Sequence, residues 1–266
     1  MRAIAVVMVL IGCGQPAHRV GVAQPEPAPE PVDLIGPSDY ASRISGLRAT
    51  LARSGVDIDT QSKIETCGAN DSRQRCVTCD VATRDQTSGL DPDLLDAVSI
   101  AFGRYPPGVL GKIKLQHVAL CRKIRFSDDP EDGPAGLAVV GEGRVMISVE
   151  HFVGDHHLDG FTIEEVVHHE VFHILDGTHD DKEWKALSKG AAGKAGYVDE
   201  YAATNDTEDR ASTYEYLVGQ PAKLCAMMRK DPILTKKVSV VWKRVAPVVG
   251  VKQLKRWAPC AARLVK

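Results

Sequence analysis

From Thr162 to Gly177 the chain spells out one helix with both ends marked. Thr162 and Glu165 stand at capping-box spacing, where hydroxyl and carboxylate each satisfy a backbone N–H of the first turn. Ile163, Val166, Val167, Val171, Ile174 and Leu175 form a broad apolar surface, and Gly177 is a natural stop. A surface that wide is buried against other elements. The preceding sequence offers strands: residues 113–126 partly alternate, while 136–140 and 144–149 flank Gly141-Glu142-Gly143, which suits a hairpin turn. Helical spacing recurs over 38–55 with Ser38 as cap, over 91–102, 182–187, 205–218 and 221–228, and in the tail after Thr235. Together these predict an α+β fold, with a small mixed sheet packed on the marked helix and a helical C-terminal part.

Inside that helix lies His169-Glu170-Val171-Phe172-His173. Residues four apart share a helical face, so both imidazoles can reach one metal ion. Glu170, next to the first His, can take a proton from a water that zinc has acidified. His168 points about 100° away and reads as packing or outer support. His151, His156, His157 and His179 read as loop histidines, and Asp176 as a carboxylate able to accept from a ligand imidazole.

A catalytic zinc usually takes a third protein ligand and leaves a position for water. No His follows at metzincin spacing, since Asp176 and Gly177 fill that region. The acidic candidates are Asp180, Glu200, Glu208, Asp209 and Glu215. Asp180 follows His173 too closely to fold back easily, whereas Glu208 begins a helix near Asn205. The strand over 144–149 is a candidate cleft edge for pairing with an extended peptide.

Tyr201-Ala-Ala-Thr-Asn205-Asp-Thr-Glu208 resembles the third-ligand segment of the lethal-factor-like gluzincin metallopeptidases. There a Tyr lies seven residues, and an Asn three, before the ligand Glu. The resemblance covers about 90–217 and is specific in the two motifs. It implies a zincin-like catalytic domain over 81–266, with zinc on His169, His173 and Glu208. It further implies Glu170 as general base, Tyr201 as oxyanion donor, and a peptide or protein as substrate. One departure is Ser212, where the family often has a second Glu; Asp209 or Glu215 is the substitute.

The N-terminus bears on location. Arg2, an apolar run from Ala3 to Ile11, then Gly12 and Cys13 describe a secretory signal over 1–12, far short of the roughly 20 residues that span a bilayer. Leu10-Ile11-Gly12-Cys13 resembles the lipobox of bacterial lipoproteins, which makes Cys13 a lipid anchor and the outer membrane or cell surface the expected location, the periplasmic side left open. Gly14 is not the aspartate linked to inner-membrane retention. Pro-rich sequence over 13–37 reads as a tether, and 38–80 as a Cys-rich lead-in. Besides Cys13 there are Cys67, Cys76, Cys79, Cys121, Cys225 and Cys260, an even set that predicts disulfides of open pairing.

Hydrophobic residues make up 44% of the chain and the net charge is −2, with both signs spread along it and no basic stripe for nucleic acid. The membrane is then reached only through Cys13, and the oligomeric state stays open. Two rivals stand beside the zinc endopeptidase. One is a zinc-stabilised, non-catalytic surface lipoprotein that binds a partner. The other is a redox protein using Cys76-x-x-Cys79, which lacks the usual βαβ context.

Overall fold

Strand β4 (His117–Phe126) is the spine of the sheet, and its alternation explains why. Val118 and Leu120 turn to the helical core, while Ala119 and Cys121 turn to a second apolar cluster on the opposite face. The computed structural model describes residues 37–67, 76–82, 92–128, 133–152, 162–177, 181–189 and 195–265. All of these lie within one unit, 34–266. The signal, Cys13 and the tether lie outside the described residues, as do His156, His157, His179 and Asp180.

The elements run α1 (Pro37–Ala52), β1 (Asp57–Ile58), β2 (Lys63–Cys67), β3 (Cys76–Val81), α2 (Pro92–Gly103), α3 (Val109–Lys112), β4, β5 (Gly136–Val139) and β6 (Arg144–Ser148). Helices α4 (Ile163–Asp176), α5 (Lys182–Lys189), α6 (Asp206–Gly219), α7 (Pro221–Met228), α8 (Pro232–Val249), α9 (Val251–Trp257) and α10 (Ala261–Leu264) complete the α+β fold. The sheet order is β2-β3-β4-β6-β5, with β1 pairing the start of β4. β6 runs parallel to β4, and β5 runs antiparallel to β6.

Several expectations are corrected. The strand expected over 113–126 starts at His117, because Ile113 is the C-cap of α3 and Lys114 takes a positive φ of 66° that breaks the extended run. The strand over 144–149 is not the cleft edge: β6 is hydrogen-bonded on both sides, and β5 holds the edge. α1 starts at Pro37, so Ser38, expected just before the helix, falls inside it. The Cys-rich stretch supplies β2 and β3 to the same sheet, and β3 crosses residue 80. α8 starts before Thr235, because the Asp231 carboxylate caps the N–H groups of Ile233 and Leu234 and Pro232 occupies the first turn.

Disulfides join Cys67 to Cys76, Cys79 to Cys121 and Cys225 to Cys260. The first spans the β2–β3 pair, the second ties β3 to β4, and the third ties α7 to the segment before α10. Cys76 and Cys79 thus sit in different bridges, so no redox or zinc-binding Cys-x-x-Cys pair remains.

α4 lies between the sheet and α6. Val167, Val171 and Phe172 are fully buried, and Phe172 stacks on Tyr214 of α6 with ring centroids 5.0 Å apart. Each such side chain contributes about 1.5–3 kcal/mol by leaving water. Further out, Lys237 of α8 is completely buried with its ammonium 2.5 Å from Asp209 of α6. The Trp184 indole N–H donates to the same carboxylate at 3.0 Å, and the Lys237 ammonium lies 4.0 Å from the Tyr197 ring centre. This pocket of charge fixes the first turn of α6 against α5 and α8. Removing one partner strands the other in a dry site, so Lys237→Ala should lose about 3–5 kcal/mol in denaturant unfolding. A change within experimental error would mean that Asp209 finds other compensation.

Candidate metal centre

The capping box expected at α4 is present. Thr162 N donates to Glu165 Oε2 at 2.6 Å, and Glu165 N donates to the Thr162 hydroxyl at 3.3 Å. This start, with the packing of α4 on the sheet, sets the rotation that turns His169 and His173 to one side; their ring centres are 4.8 Å apart. Facing them is the first turn of α6. Asn205 caps it, with its side-chain oxygen accepting from Thr207 N at 2.9 Å and Glu208 N at 3.1 Å.

Glu208 therefore enters between the imidazoles, its Oε2 lying 2.9 Å from His169 Nε2 and 3.3 Å from His173 Nε2. One ligand atom from each of the three residues lies within 4.8 Å of the others. Of the acidic candidates among the described residues, Glu208 alone joins this cluster: Asp209 is held by Trp184 and Lys237, and Glu200 is outside it. Glu215, two helical turns beyond Glu208, lies behind His169 with Oε2 3.1 Å from its Nδ1. It occupies the supporting position, and Ser212 does not. The expected contact of Asp176 with an imidazole is absent. That carboxylate is turned to Arg210, at 2.7 Å, and to Arg244, so it joins α4 to α6 and α8.

The donor set fits zinc, as two imidazole nitrogens and one carboxylate oxygen are ordinary zinc ligands. Glu215 directs the Nδ1 side of His169 away from the cluster. The Nε2 atoms then converge on an anionic oxygen, an arrangement that needs a proton or a cation between them. In the metal-free chain a proton serves. Burial alone would lower the His169 pKa, but hydrogen bonds to Glu208 and Glu215 reverse this and lift it to about 10. Burial opposes ionisation of Glu208 too, yet the two imidazoles hold its carboxyl far below the usual range.

Glu170 is 7% exposed, and burial raises its pKa against the pull of His173 and His169. Its carboxylate accepts from the backbone N–H of Ala138 in β5. A Cβ on Gly136 would come within 2.7 Å of Glu170 Cγ and 2.6 Å of Val166 Cγ1, so glycine is what lets the edge strand close on α4. A glycine inside an apolar run was the available signal for this approach, and the sequence analysis passed over it.

Tyr201 lies beside His169, its ring centre 5.6 Å from that imidazole's and the residue 49% exposed. The carbonyl of Tyr201 accepts from Thr204 N, and Ala202 N donates to Asp199 at 2.7 Å, which shapes the loop that presents it. Desolvation, then the negative charge of Glu208 and Glu170, push its phenol above the ordinary value, so it stays a donor. His168 faces away, as expected: its Nδ1 is 2.9 Å from the Tyr105 hydroxyl, and burial lowers its pKa to about 3. His151 bonds Ser148 and is not in the cluster.

Because the metal-free site holds His169 as imidazolium, a metal must displace that proton. The same lift gives the metal-free fold a stabilisation that is complete below the ordinary value of 6.5 and lost as pH rises through about 10. Zinc titrations by calorimetry near about pH 8, in buffers of different ionisation enthalpy, should show about one proton released per ion. Release near zero would mean that His169 is already neutral.

No protein-family model matches the chain, and no curated protein matches it in sequence. A solved structure from Bacteroides caccae ATCC 43185, named as a candidate zinc-binding metallo-peptidase, is 14% identical and covers 86% of this chain and 95% of its own. Its TM-score of 0.39 is too low to bear on fold or function here.

Proposed function

We propose that the chain is a zinc-dependent endopeptidase of the gluzincin type, exported and held outside the cytoplasm by a lipid on Cys13. The observation that carries this reading is the convergence of His169, His173 and Glu208 beside a buried Glu170, with Tyr201 beside His169. Zinc held by the first three would supply Lewis acidity, polarising a peptide carbonyl and acidifying a water.

The chain's own groups supply the rest. Glu170, with its pKa raised by burial and its carboxylate oriented by Ala138 N–H, accepts the proton of the attacking water and passes it to the leaving amine. Edge strand β5 offers backbone groups along which an extended peptide can lie as a further antiparallel strand, with its scissile bond beside Glu170. The Tyr201 phenol, still protonated, donates to oxygen where negative charge develops. Glu215 keeps the His169 ring turned so that Nε2 faces the centre.

Incubating wild type, Glu170→Gln and Tyr201→Phe with a diverse peptide library, with zinc quantified in each, tests this. At equal zinc, Glu170→Gln should lose at least about 10²-fold in turnover. Tyr201→Phe should lose about 10²–10³-fold in kcat with KM little changed. Full cleavage by the Glu170 variant would refute the mechanism. Bound zinc with no cleavage by the wild type would leave the non-catalytic binding lipoprotein.

A further inference from the structure

A net charge of −2 conceals a division of the chain. Residues 221–266 contain twelve of the 33 Lys and Arg residues and one of the 35 Asp and Glu residues, Asp231. The chain before Pro221 therefore carries 21 basic and 34 acidic residues. The expectation that both signs are spread along the chain fails on this count.

That one acid is already engaged, accepting from Ile233 N and Leu234 N at 2.9 Å and from Gly196 N at 2.6 Å. Of the cations after it, Lys237 and Arg244 are committed to the Asp209 and Asp176 pairs. Lys236, Lys243, Lys252, Lys255, Arg256 and Arg263 are exposed, and none of them forms an ion pair among the described residues. Their spacing gives them common directions. Lys252, Lys255 and Arg256 form an i, i+3, i+4 stripe on α9, whose Leu254 and Trp257 turn inward. Lys236 and Lys243, seven apart, share one side of α8, while Val238, Val241 and Val245 are buried on another. Val251 stands 48% exposed next to Lys252. Glu164 is paired with Arg104, whose carbonyl accepts from Gln253 of α9.

We propose that this C-terminal layer, centred on α9, docks on a membrane surface of anionic phospholipid headgroups. Charge complementarity is the first reason: an excess of eleven cations meets phosphate, while the acidic remainder of the chain is repelled from the same surface and turned outward. The choice of a membrane over nucleic acid rests on two observations. The N-terminal signal and Cys13, read as export and lipid anchoring, put the chain within reach of a bilayer. Among the described residues the exposed large apolar side chains are Ile100, Tyr201 and Val251, so no exposed aromatic there stands among the cations to stack on bases. The inference uses the anchoring half of the functional reading and is independent of the peptidase half.

The test uses residues 34–266 without lipid, since every described element and both apolar clusters lie within them. Co-sedimentation is measured with vesicles of phosphatidylcholine alone and with increasing phosphatidylglycerol. Binding should appear only with the anionic lipid and disappear in salt that shortens the Debye length to about 3 Å. Each cation near an anionic leaflet tightens binding about fivefold, so Lys252→Glu/Lys255→Glu/Arg256→Glu should weaken it by about 100-fold or more. The charge-matched variant Arg48→Glu/Lys112→Glu/Arg122→Glu should bind nearly as wild type, and thermal melting and zinc content should be unchanged in both. A neutral-residue triple, Lys252→Gln/Lys255→Gln/Arg256→Gln, should fall between. Equal loss in the charge-matched variant, or equal binding to neutral vesicles, overturns the proposal. A short DNA duplex that binds while anionic vesicles do not would assign the layer to nucleic acid instead. Peptide cleavage assayed alongside separates this outcome from the fate of the peptidase reading.

Discussion

Three electron-pair donors meet where the first turn of α6 crosses the face of α4, and that meeting governs much of the surrounding construction. His169 Nε2, His173 Nε2 and a Glu208 oxygen could not be held so close by packing alone. Their lone pairs repel unless a proton or metal ion neutralises them. The fold must therefore provide both a rigid frame and a partner for the charge. Capping boxes and caps supply part of the frame, at Thr162 for α4 and at Asn205 for α6. Phe172 stacked on Tyr214 supplies the packing between the two helices.

Around the centre, buried charges hold the frame in register. Asp176 binds Arg210 and Arg244, and Asp209 binds Lys237 and Trp184, so α6 is tied to α4 on one side and to α5 and α8 on the other. Such pairs add little net stability relative to apolar residues, because desolvation offsets attraction. Their contribution is directional: a displaced α6 would leave unpaired charge in a dry interior. Glu208 and Asp209 are neighbours, so the residue aimed at the centre and the residue anchored in the core are fixed by one backbone turn. Glu215 adds a second fixed point, seven residues on, against His169.

The fold class was legible because periodicity and caps act locally. The α4 signal named its start, its stop and the shared face of its two histidines, and the structure has all three. The place of Glu208 in the first turn of a helix near Asn205 was legible, and the resemblance to the gluzincin third-ligand segment is what singled it out; the structure brings it together with His169 and His173. What escaped was non-local. Whether β5 or β6 holds the edge depends on which neighbour β4 pairs with, and strand order leaves no mark in a hairpin's own sequence. Asp176 looked like a support for His173 by spacing, yet two arginines from distant segments claim it. Lys237 bears no mark in the sequence, since nothing local announces that Asp209 and two aromatic rings await it.

Charge, by contrast, was fully present in the sequence and was hidden by summation. A total near zero arises equally from a mixed surface and from two opposed regions, but the two differ in what they attract. Segregation leaves the region carrying Glu170, Glu208 and Glu215 acidic and the final helices basic. α8 packs on α6, while α9 packs on Tyr105 through Trp257 and meets Arg104 through Gln253. If Cys13 carries the proposed lipid, anchor and docking layer would act on the same molecule at different points, one limiting its distance from the membrane and the other its orientation.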